Sequence, residues 1–372
     1  MKPIYFDNAA TTSLDPEVLE EMLPFLSNHF GNPSSTHAFG RKAKTAVETS
    51  RKKIASLLGC APNEIFFTSG GTEADNLALN FTSKIETFIT SPLEHHAVLH
   101  ALKNKKKTSV KYIKHHSSGE VDYESLKTLL TENPHALVSI MHANNEVGTI
   151  NNLEKISRLC KENGALFHSD TVQTIAHLPF DFSKEDVPDY IVASSHKFHG
   201  PKGIGFLVAH GPKPSSMILG GNQEREMRGG TENVAGIVGM AKALEKALTL
   251  QTEREEKLLT LKLDLIRQLK KEITLLSFNG GSDDTEKGLH NILNFSIEKP
   301  ALSDTLLFSL DLKNIAISGG SACLSGALKG SHVLNHLRGE RDTSPSIRVS
   351  LSHLNTKSEI DFFVSTLKEI TN

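Results

Sequence analysis

Tyr190-Ile191-Val192-Ala193-Ser194-Ser195-His196-Lys197-Phe198-His199-Gly200-Pro201-Lys202-Gly203 is an apolar run that ends abruptly in polar and turn-forming residues. Residues 190–193 read as a buried strand, and the Gly/Pro-rich tail reads as a turn. A lone lysine is ordinarily a solvated surface residue. Lys197 is different because it stands where a buried strand hands over to a turn, between His and Phe. A lysine taken out of water in this way is a ready Schiff-base former.

The same rhythm repeats on either side. Strands are predicted over 64–68, 87–90, 110–113, 137–141, 166–169 and 204–208. Helices are predicted over 16–27, opened by Asp15 and Pro16, and over 40–58, 97–102, 123–131 and 153–163. Strands alternating with helices imply an α/β fold with a mostly parallel sheet covered on both faces. From 234 to 273 the pattern is helical with one expected break. Leu258, Leu261, Leu265 and Leu269 form a stripe there, widened by Leu259, Leu263 and Ile266. A strand over 292–297, a helix over 303–310, a Gly/Ser turn around Cys323, a strand over 347–351 and a helix over 357–370 follow. The chain has 372 residues, more than one core usually holds. We therefore expect a large domain over 15–255 and a smaller α/β domain formed by 1–14 with 256–372.

Composition narrows the function. The net charge of -2 argues against a nucleic-acid binder, whose footprint would be basic. The cluster Lys103, Lys105, Lys106 and Lys107 reads as a solvated helix end. No run approaches the roughly 18 apolar residues that a membrane span needs. The start, Met1-Lys2-Pro3-Ile4-Tyr5-Phe6-Asp7, lacks the pattern of a secretory signal, so a cytoplasmic location is expected. Cys60, Cys160 and Cys323 are odd in number and contain no CxxC pair, so neither a disulfide framework nor a cysteine metal site is expected.

In open parallel sheets, ligands sit at the carboxyl ends of the strands. The polar clusters at those ends are Ser69-Gly70-Gly71-Thr72, Glu94-His95-His96, Asn144-Asn145-Glu146, Asp170 with Gln173, and Ser194 to Lys197. The Gly70-Gly71-Thr72 turn opens a helix, whose first N–H groups and dipole suit a phosphate. It lacks the Gly-Lys-Ser/Thr of a P-loop and the glycine spacing of a dinucleotide fold. Asp170 ends another strand, and a buried carboxylate beside a pyridinium nitrogen keeps that nitrogen protonated. A lysine, an aspartate and a phosphate turn together are what pyridoxal phosphate requires.

Several longer motifs agree with this. They are Phe6-Asp7-Asn8-Ala9-Ala10-Thr11-Thr12, Phe30-Gly31-Asn32-Pro33-Ser34-Ser35, Thr68 to Glu73, Asn144-Asn145-Glu146 and the lysine motif. Gln223-Glu224-Arg225, Arg228-Gly229-Gly230-Thr231, Ser318-Gly319-Gly320-Ser321-Ala322-Cys323 and Ser346-Ile347-Arg348-Val349-Ser350 complete the set. In these motifs, taken in order over essentially its whole length, the chain resembles the cysteine desulfurases. They form part of the class V aminotransferase-like group of fold-type I pyridoxal-phosphate enzymes.

The resemblance implies a large domain with a seven-stranded-type sheet and a set of roles. Lys197 would carry the cofactor as a Schiff base, Asp170 would pair with the ring nitrogen, and Gln173 would bond the ring hydroxyl oxygen. His95 would stack on the ring and move protons. Gly71, Thr72, Ser194 and His196 would hold the phosphate, and Thr231 would reach the phosphate of a neighbouring subunit, which implies a homodimer. Arg348 and Asn145 would bind the carboxylate of L-cysteine, and Asn145 would also contact the cofactor. Cys323 would attack the substrate sulfur, releasing L-alanine and keeping a persulfide for an acceptor protein that serves iron–sulfur cluster assembly or tRNA thiolation. Direct contact with nucleic acid or membrane is not implied. A selenocysteine lyase or another class V aminotransferase-like enzyme is the alternative. The loop Ser318 to Cys323 lacks the Arg-x-Gly-x-x-Cys pattern usual in the lyase branch. The extended tail that some members use to dock a scaffold protein is expected to be absent.

Overall fold

The computed structural model describes residues 3–81, 85–105, 108–303, 305–319, 331–339 and 344–371. Cys323 lies outside the described residues. In its first half, β1 (Ile4–Tyr5), α1 (Pro16–Ser27) and α2 (Ala38–Leu58) precede β2 (Ile65–Thr68) and α3 (Gly71–Ala78). Then come β3 (Thr87–Thr90), α4 (His96–Lys103), β4 (Ser109–Tyr112), α5 (Tyr123–Glu132), β5 (Leu137–Ser139), α6 (Leu153–Glu162), β6 (Leu166–Asp170), β7 (Tyr190–Ser194) and β8 (Gly205–Ala209). The remainder holds α7 (Val234–Thr249), α8 (Gln251–Glu272), β9 (Leu276–Phe278), β10 (Ile292–Ile297), α9 (Leu306–Leu312), β11 (Ile315–Ala316), α10 (His332–Arg338), β12 (Ser346–Ser350) and α11 (Lys357–Thr371).

The main sheet has seven strands in the order β2-β8-β7-β6-β5-β3-β4. Neighbours from β7 to β4 run parallel, while β8 is antiparallel to both β7 and β2. Two reversals restore the direction of β2. The carboxyl ends of β2, β3, β5, β6 and β7 therefore share one edge, and every polar cluster singled out above follows one of these strands. Strands β7 and β8 are buried at every position, as a sheet covered on both faces requires.

The expected elements form with small shifts. Asp15 caps α1 by accepting from the Glu17 N–H at 2.9 Å, with Pro16 in the first position. Helix α2 starts two residues earlier than predicted because the His37 ring caps it, accepting from the Gly40 N–H at 3.3 Å. The long helical stretch does break once, at Leu250. The helix predicted over 303–310 begins at Leu306 because the tight turn Pro300–Leu302 comes first. The strands β1, β9 and β11 hold only two or three residues, too few for a periodic signal.

The apolar stripe of α8 needs one correction. Leu258, Leu261, Leu265, Ile266 and Leu269 are buried, but Leu263 is exposed and Lys262 takes the inward position. The Lys262 ammonium is buried and donates to the Leu289 carbonyl at 2.8 Å. Burial lowers its pKa to about 8, against the pull of Asp283 and Asp284. A hydrophobicity pattern cannot foresee a lysine whose charge is met by a loop carbonyl. The buried face of α8 packs with Ile4, Phe6, Phe295, Ile347 and Phe363 in a cluster separate from the one beneath β7 and β8, which includes Ile191, Phe206 and Leu244.

Glu255, in the first turns of α8, ties that helix to the residues after β6. It accepts from His177 at 2.6 Å and faces His290 at 3.1 Å. Burial alone would raise its pKa, but the two imidazoles hold it down at about 2. The folded pKa is depressed, so the stabilisation is complete above the unfolded value and is lost as pH falls through the folded one. Glu255→Gln is expected to lower the unfolding free energy by about 3 kcal/mol near pH 5. The difference should vanish as the pH approaches about 2. Urea unfolding of both proteins across this range checks it, and a pH-independent deficit would contradict the ion-pair account.

Candidate active site

A cavity of about 290 Å³ opens at the shared strand edge. Its wall includes Gly71, Thr72, His95, Asn145, Asp170, Gln173, Ser194, His196, Lys197 and Arg348. The fold thus gathers residues from nearly the whole chain length into one volume typical of a cofactor site. Thr231 is not in this wall; it is exposed and lines a separate cavity with Ser69 and Arg228.

Lys197 lies in a short turn directly after β7. Its amine donates to the carbonyl oxygens of Ala9 and Ala10 at 2.5 and 2.9 Å, so the N-terminal segment forms part of the site. Gln173 donates to the same Ala9 carbonyl at 3.0 Å. Asp170, at the end of β6, accepts from the Val172 N–H at 2.9 Å. Burial raises its pKa, while His95, that N–H and Lys197 oppose the rise. A cation arriving at the carboxylate would complete the compensation that these groups begin.

The other end of the cavity suits an anion. Gly70, with φ of 155°, turns the chain from β2 into α3, and a Cβ on Gly71 would come within 2.8 Å of Val172. The first-turn N–H groups of α3 have no partners within the helix and point outward at this end. Ser194 and His196 stand beside them. Burial, and then Lys197 and Lys202, lowers the His196 pKa to about 4, so its imidazole is neutral and bonds Thr11 at 3.1 Å. Phosphate donors at one end, a carboxylate at the other and an amine between them fit pyridoxal phosphate.

His95 caps α4 and accepts the Ala97 N–H on Nδ1 at 3.2 Å, which leaves Nε2 to carry the proton of the neutral ring. Burial lowers its pKa. Arg348, on β12, is buried; its guanidinium donates to the Asn145 carbonyl at 2.8 Å and to Asp7 at 2.7 Å. Asp7 and the backbone of Asn145 hold the fork at the cavity wall. Asn145 is half-buried beside it.

The residues on both sides of the segment that carries Cys323 are placed at the site. The Arg348 N–H donates to the Ser318 carbonyl at 2.7 Å, and Ser331 donates to the carboxylate of Glu146. Both Arg348 and Glu146 line the cavity, as does His332. The chain on either side of Cys323 is therefore anchored at the cavity wall.

Sequence reasoning missed Asp75 and His168 beneath the site and gave no role to Glu94. Asp75 on α3 faces His168 on β6 at 3.4 Å, and His168 bonds Ser139 at 2.9 Å. Glu94 is buried and accepts the Met141 N–H at 2.6 Å. Burial, and then repulsion from Asp170 and Glu94, raises the pKa of Asp75. Burial, and then Asp170, raises that of Glu94 against the Met141 N–H. Burial thus disfavours the charged form of both carboxylates that lie close to Asp170. Two spacings carried a signal: Asp75 lies three residues after Thr72 on one helix, and His168 two residues before Asp170 on one face of a strand. His96 and His332, with ring centroids 4.5 Å apart, were likewise given no role.

Among the described residues, no group of three or more His, Cys, Asp or Glu is arranged to hold a metal ion, and no helix is long and apolar enough to cross a membrane.

Comparison with known proteins agrees with the site. Residues 4–363 match the family model described as aminotransferase class-V. The chain is 43% identical over 381 residues to a cysteine desulfurase IscS from Clostridium botulinum, with 99% of this chain and 94% of the relative covered. Among solved structures, a NifS-like protein superposes with a TM-score of 0.90 at 39% identity, covering 99% of both chains. A structure described as SspA in complex with cysteine gives a TM-score of 0.81 at 31% identity, covering 95% of this chain and 100% of the other. A family match over most of the length, carried by a site that fits the family's cofactor, places this chain in the class-V aminotransferase family, among its pyridoxal-phosphate-dependent cysteine desulfurases.

Proposed function

We propose that this protein takes sulfur from L-cysteine, releases L-alanine and keeps the sulfur as a persulfide on Cys323. An acceptor protein then removes it for iron–sulfur cluster assembly or tRNA thiolation. The observation that carries the reading is the convergence of Lys197, Asp170 and the α3 N-terminus on one cavity whose far wall anchors the segments flanking Cys323.

Pyridoxal phosphate, when bound, supplies an electron sink that acidifies the Cα–H of an amino acid and weakens its Cβ–S bond. The protein groups then have separate tasks. Gly71, Thr72, Ser194 and His196 hold the phosphate, Asp170 keeps the ring nitrogen protonated, and Gln173 meets the ring oxygen. Arg348 and Asn145 orient the substrate carboxylate. Lys197 takes the Cα proton on its amine, and His95, with its proton on Nε2, stands ready to move another. The Cys323 thiolate forms an S–S bond to the substrate sulfur as the Cβ–S bond breaks. The electron pair stays with carbon, which gains a proton and leaves as the methyl of alanine.

We assign the chain to the cytoplasm and to a homodimer, with 15–255 as the cofactor-binding domain and 1–14 with 256–372 as the domain that carries Arg348 and Cys323. Two observations favour the dimer. Thr231 is exposed away from its own cavity, and Phe30 and Leu219 are 73% and 84% exposed, surface that a partner would cover. Purified protein given L-cysteine and a reductant should yield alanine and sulfide in equal amounts. Alanine without sulfide, or neither product, would sink the proposal.

Arg348→Lys tests the substrate site. Lysine keeps the charge but loses the fork that matches a carboxylate. We expect KM for L-cysteine to rise by roughly ten- to a hundredfold while kcat falls much less. Steady-state kinetics check this, and an unchanged KM would remove Arg348 from the substrate site.

A further inference from the structure

The chain from Gln223 to Thr231 is built in an unusual way. Glu224, Arg225 and Glu226 have φ of 47°, 55° and 68°, three consecutive side-chain-bearing residues in the left-handed region. Backbone of that hand persists where its surroundings over-determine it. Two ion pairs do so here. The Glu224 carboxylate meets Arg51 of α2 through both oxygens, at 2.7 and 2.8 Å, and also accepts the Phe67 N–H of β2 at 2.7 Å. Arg51 and Glu224 are both buried, and the Arg51 guanidinium lies 4.5 Å from the centre of the Phe67 ring. The second pair joins Arg228 to Glu73 at 3.0 Å, and Glu73 also accepts the Ser69 N–H at 2.9 Å. Burial alone would raise the Glu73 pKa, but these contacts hold it below the usual carboxylate range.

Past these braces the chain runs through Gly229 and Gly230, the latter with φ of 101°, to the exposed Thr231. Two glycines give this stretch no stiffness of its own. Its direction is set by the residues before it: the Gly230 N–H on Gln223 at 3.2 Å, the Gly229 N–H on the Ile218 carbonyl at 2.8 Å, and the two ion pairs.

We propose that Glu224 and Arg228 are positioning residues for cofactor binding in the neighbouring subunit: they hold Thr231 where its hydroxyl donates to that subunit's cofactor phosphate. This rests on the reading of Thr231 as a ligand of the neighbouring subunit's cofactor. Neither residue touches the cofactor; each acts through Thr231. The strain in the turn is the sign of that role, because a relaxed loop of the same length would leave Thr231 free to sample many positions.

The test compares Thr231→Ala, Glu224→Gln, Arg228→Met and the two double variants that combine Thr231→Ala with each of the others. Each is purified as holoenzyme. The readout is the rate at which bound pyridoxal phosphate is lost to an excess of scavenging apoenzyme, with dimer content from light scattering. Thr231→Ala should speed release by about ten- to a hundredfold, the effect of losing a hydrogen bond to a charged group. Glu224→Gln and Arg228→Met should each speed it by a similar or smaller factor, and each double variant should match Thr231→Ala alone. Arg228 is about a quarter exposed, so Arg228→Met decides the matter if Glu224→Gln, with Arg51 buried beside it, fails to fold. Unchanged release in Thr231→Ala overturns the reading of Thr231 and the positioning role with it. Fast release in Thr231→Ala, with Arg228→Met and Glu224→Gln unchanged or with multiplied effects in the doubles, overturns the positioning role and leaves Thr231 as a phosphate ligand.

Discussion

Lys197→Ala should yield a folded protein that no longer holds pyridoxal phosphate as a Schiff base and forms no measurable alanine. The lysine occupies the turn that ends β7, in the cavity wall, and its amine donates to two backbone carbonyls of the N-terminal segment. Those carbonyls orient the amine without neutralising it. In the proposed reaction the same nitrogen is needed twice, once to hold the cofactor and once to take the Cα proton. Loss of the proton transfer alone costs about 10²–10⁴-fold in rate. Loss of the covalent link removes productive orientation as well. Lys197→Arg should fail too, since guanidinium neither forms the link nor gives up its proton at neutral pH. The absorption spectrum and alanine formation from L-cysteine check both variants. Near-normal alanine production in Lys197→Ala would mean that the site has been misassigned.

Why so much of this site was legible in the sequence follows from sheet geometry. Parallel strands deliver their C-terminal residues to one edge, so Gly71, His95, Asn145, Asp170 and Lys197 were grouped by counting strand ends. What escaped depends on contacts between distant segments. Asp75 and His168 sit in ordinary-looking helix and strand sequence, and their meaning appears when α3 packs over β6. Lys262 interrupts an apolar stripe because a carbonyl 27 residues away receives its ammonium. The reversed direction of β8 could not be read either, since an apolar strand has the same pattern in both directions. The left-handed turn at Glu224 depends on Arg51, 173 positions earlier. Left-handed backbone costs an L-residue about 1–2 kcal/mol, and nothing in the local sequence, which has no glycine at 224–226, announces it.

Cys323→Ala should separate cofactor chemistry from sulfur transfer. The variant is expected to keep its pyridoxal-phosphate spectrum, because no cofactor contact proposed above involves Cys323, while sulfide release falls by at least about a thousandfold. The other two thiols are poor substitutes. Cys60 is half-buried and its pKa is pushed up to about 12, by burial first and then by Glu64. Cys160 is buried with Ile156 and Phe167, and burial pushes its thiol higher still. A nucleophile must be a thiolate, so neither is suited to the role proposed for Cys323. Limited alkylation of the wild-type protein with iodoacetamide should therefore label Cys323 first and abolish sulfide release in parallel. Cys323→Ser should also be inactive, since a hydroxyl at neutral pH is neither ionised nor soft enough to attack sulfur. Mass spectrometry of the enzyme after one turnover without reductant should find one added sulfur on the wild type and none on either variant. The persulfide route is excluded if Cys323→Ala retains wild-type sulfide release, or if the added sulfur is found on Cys60 or Cys160.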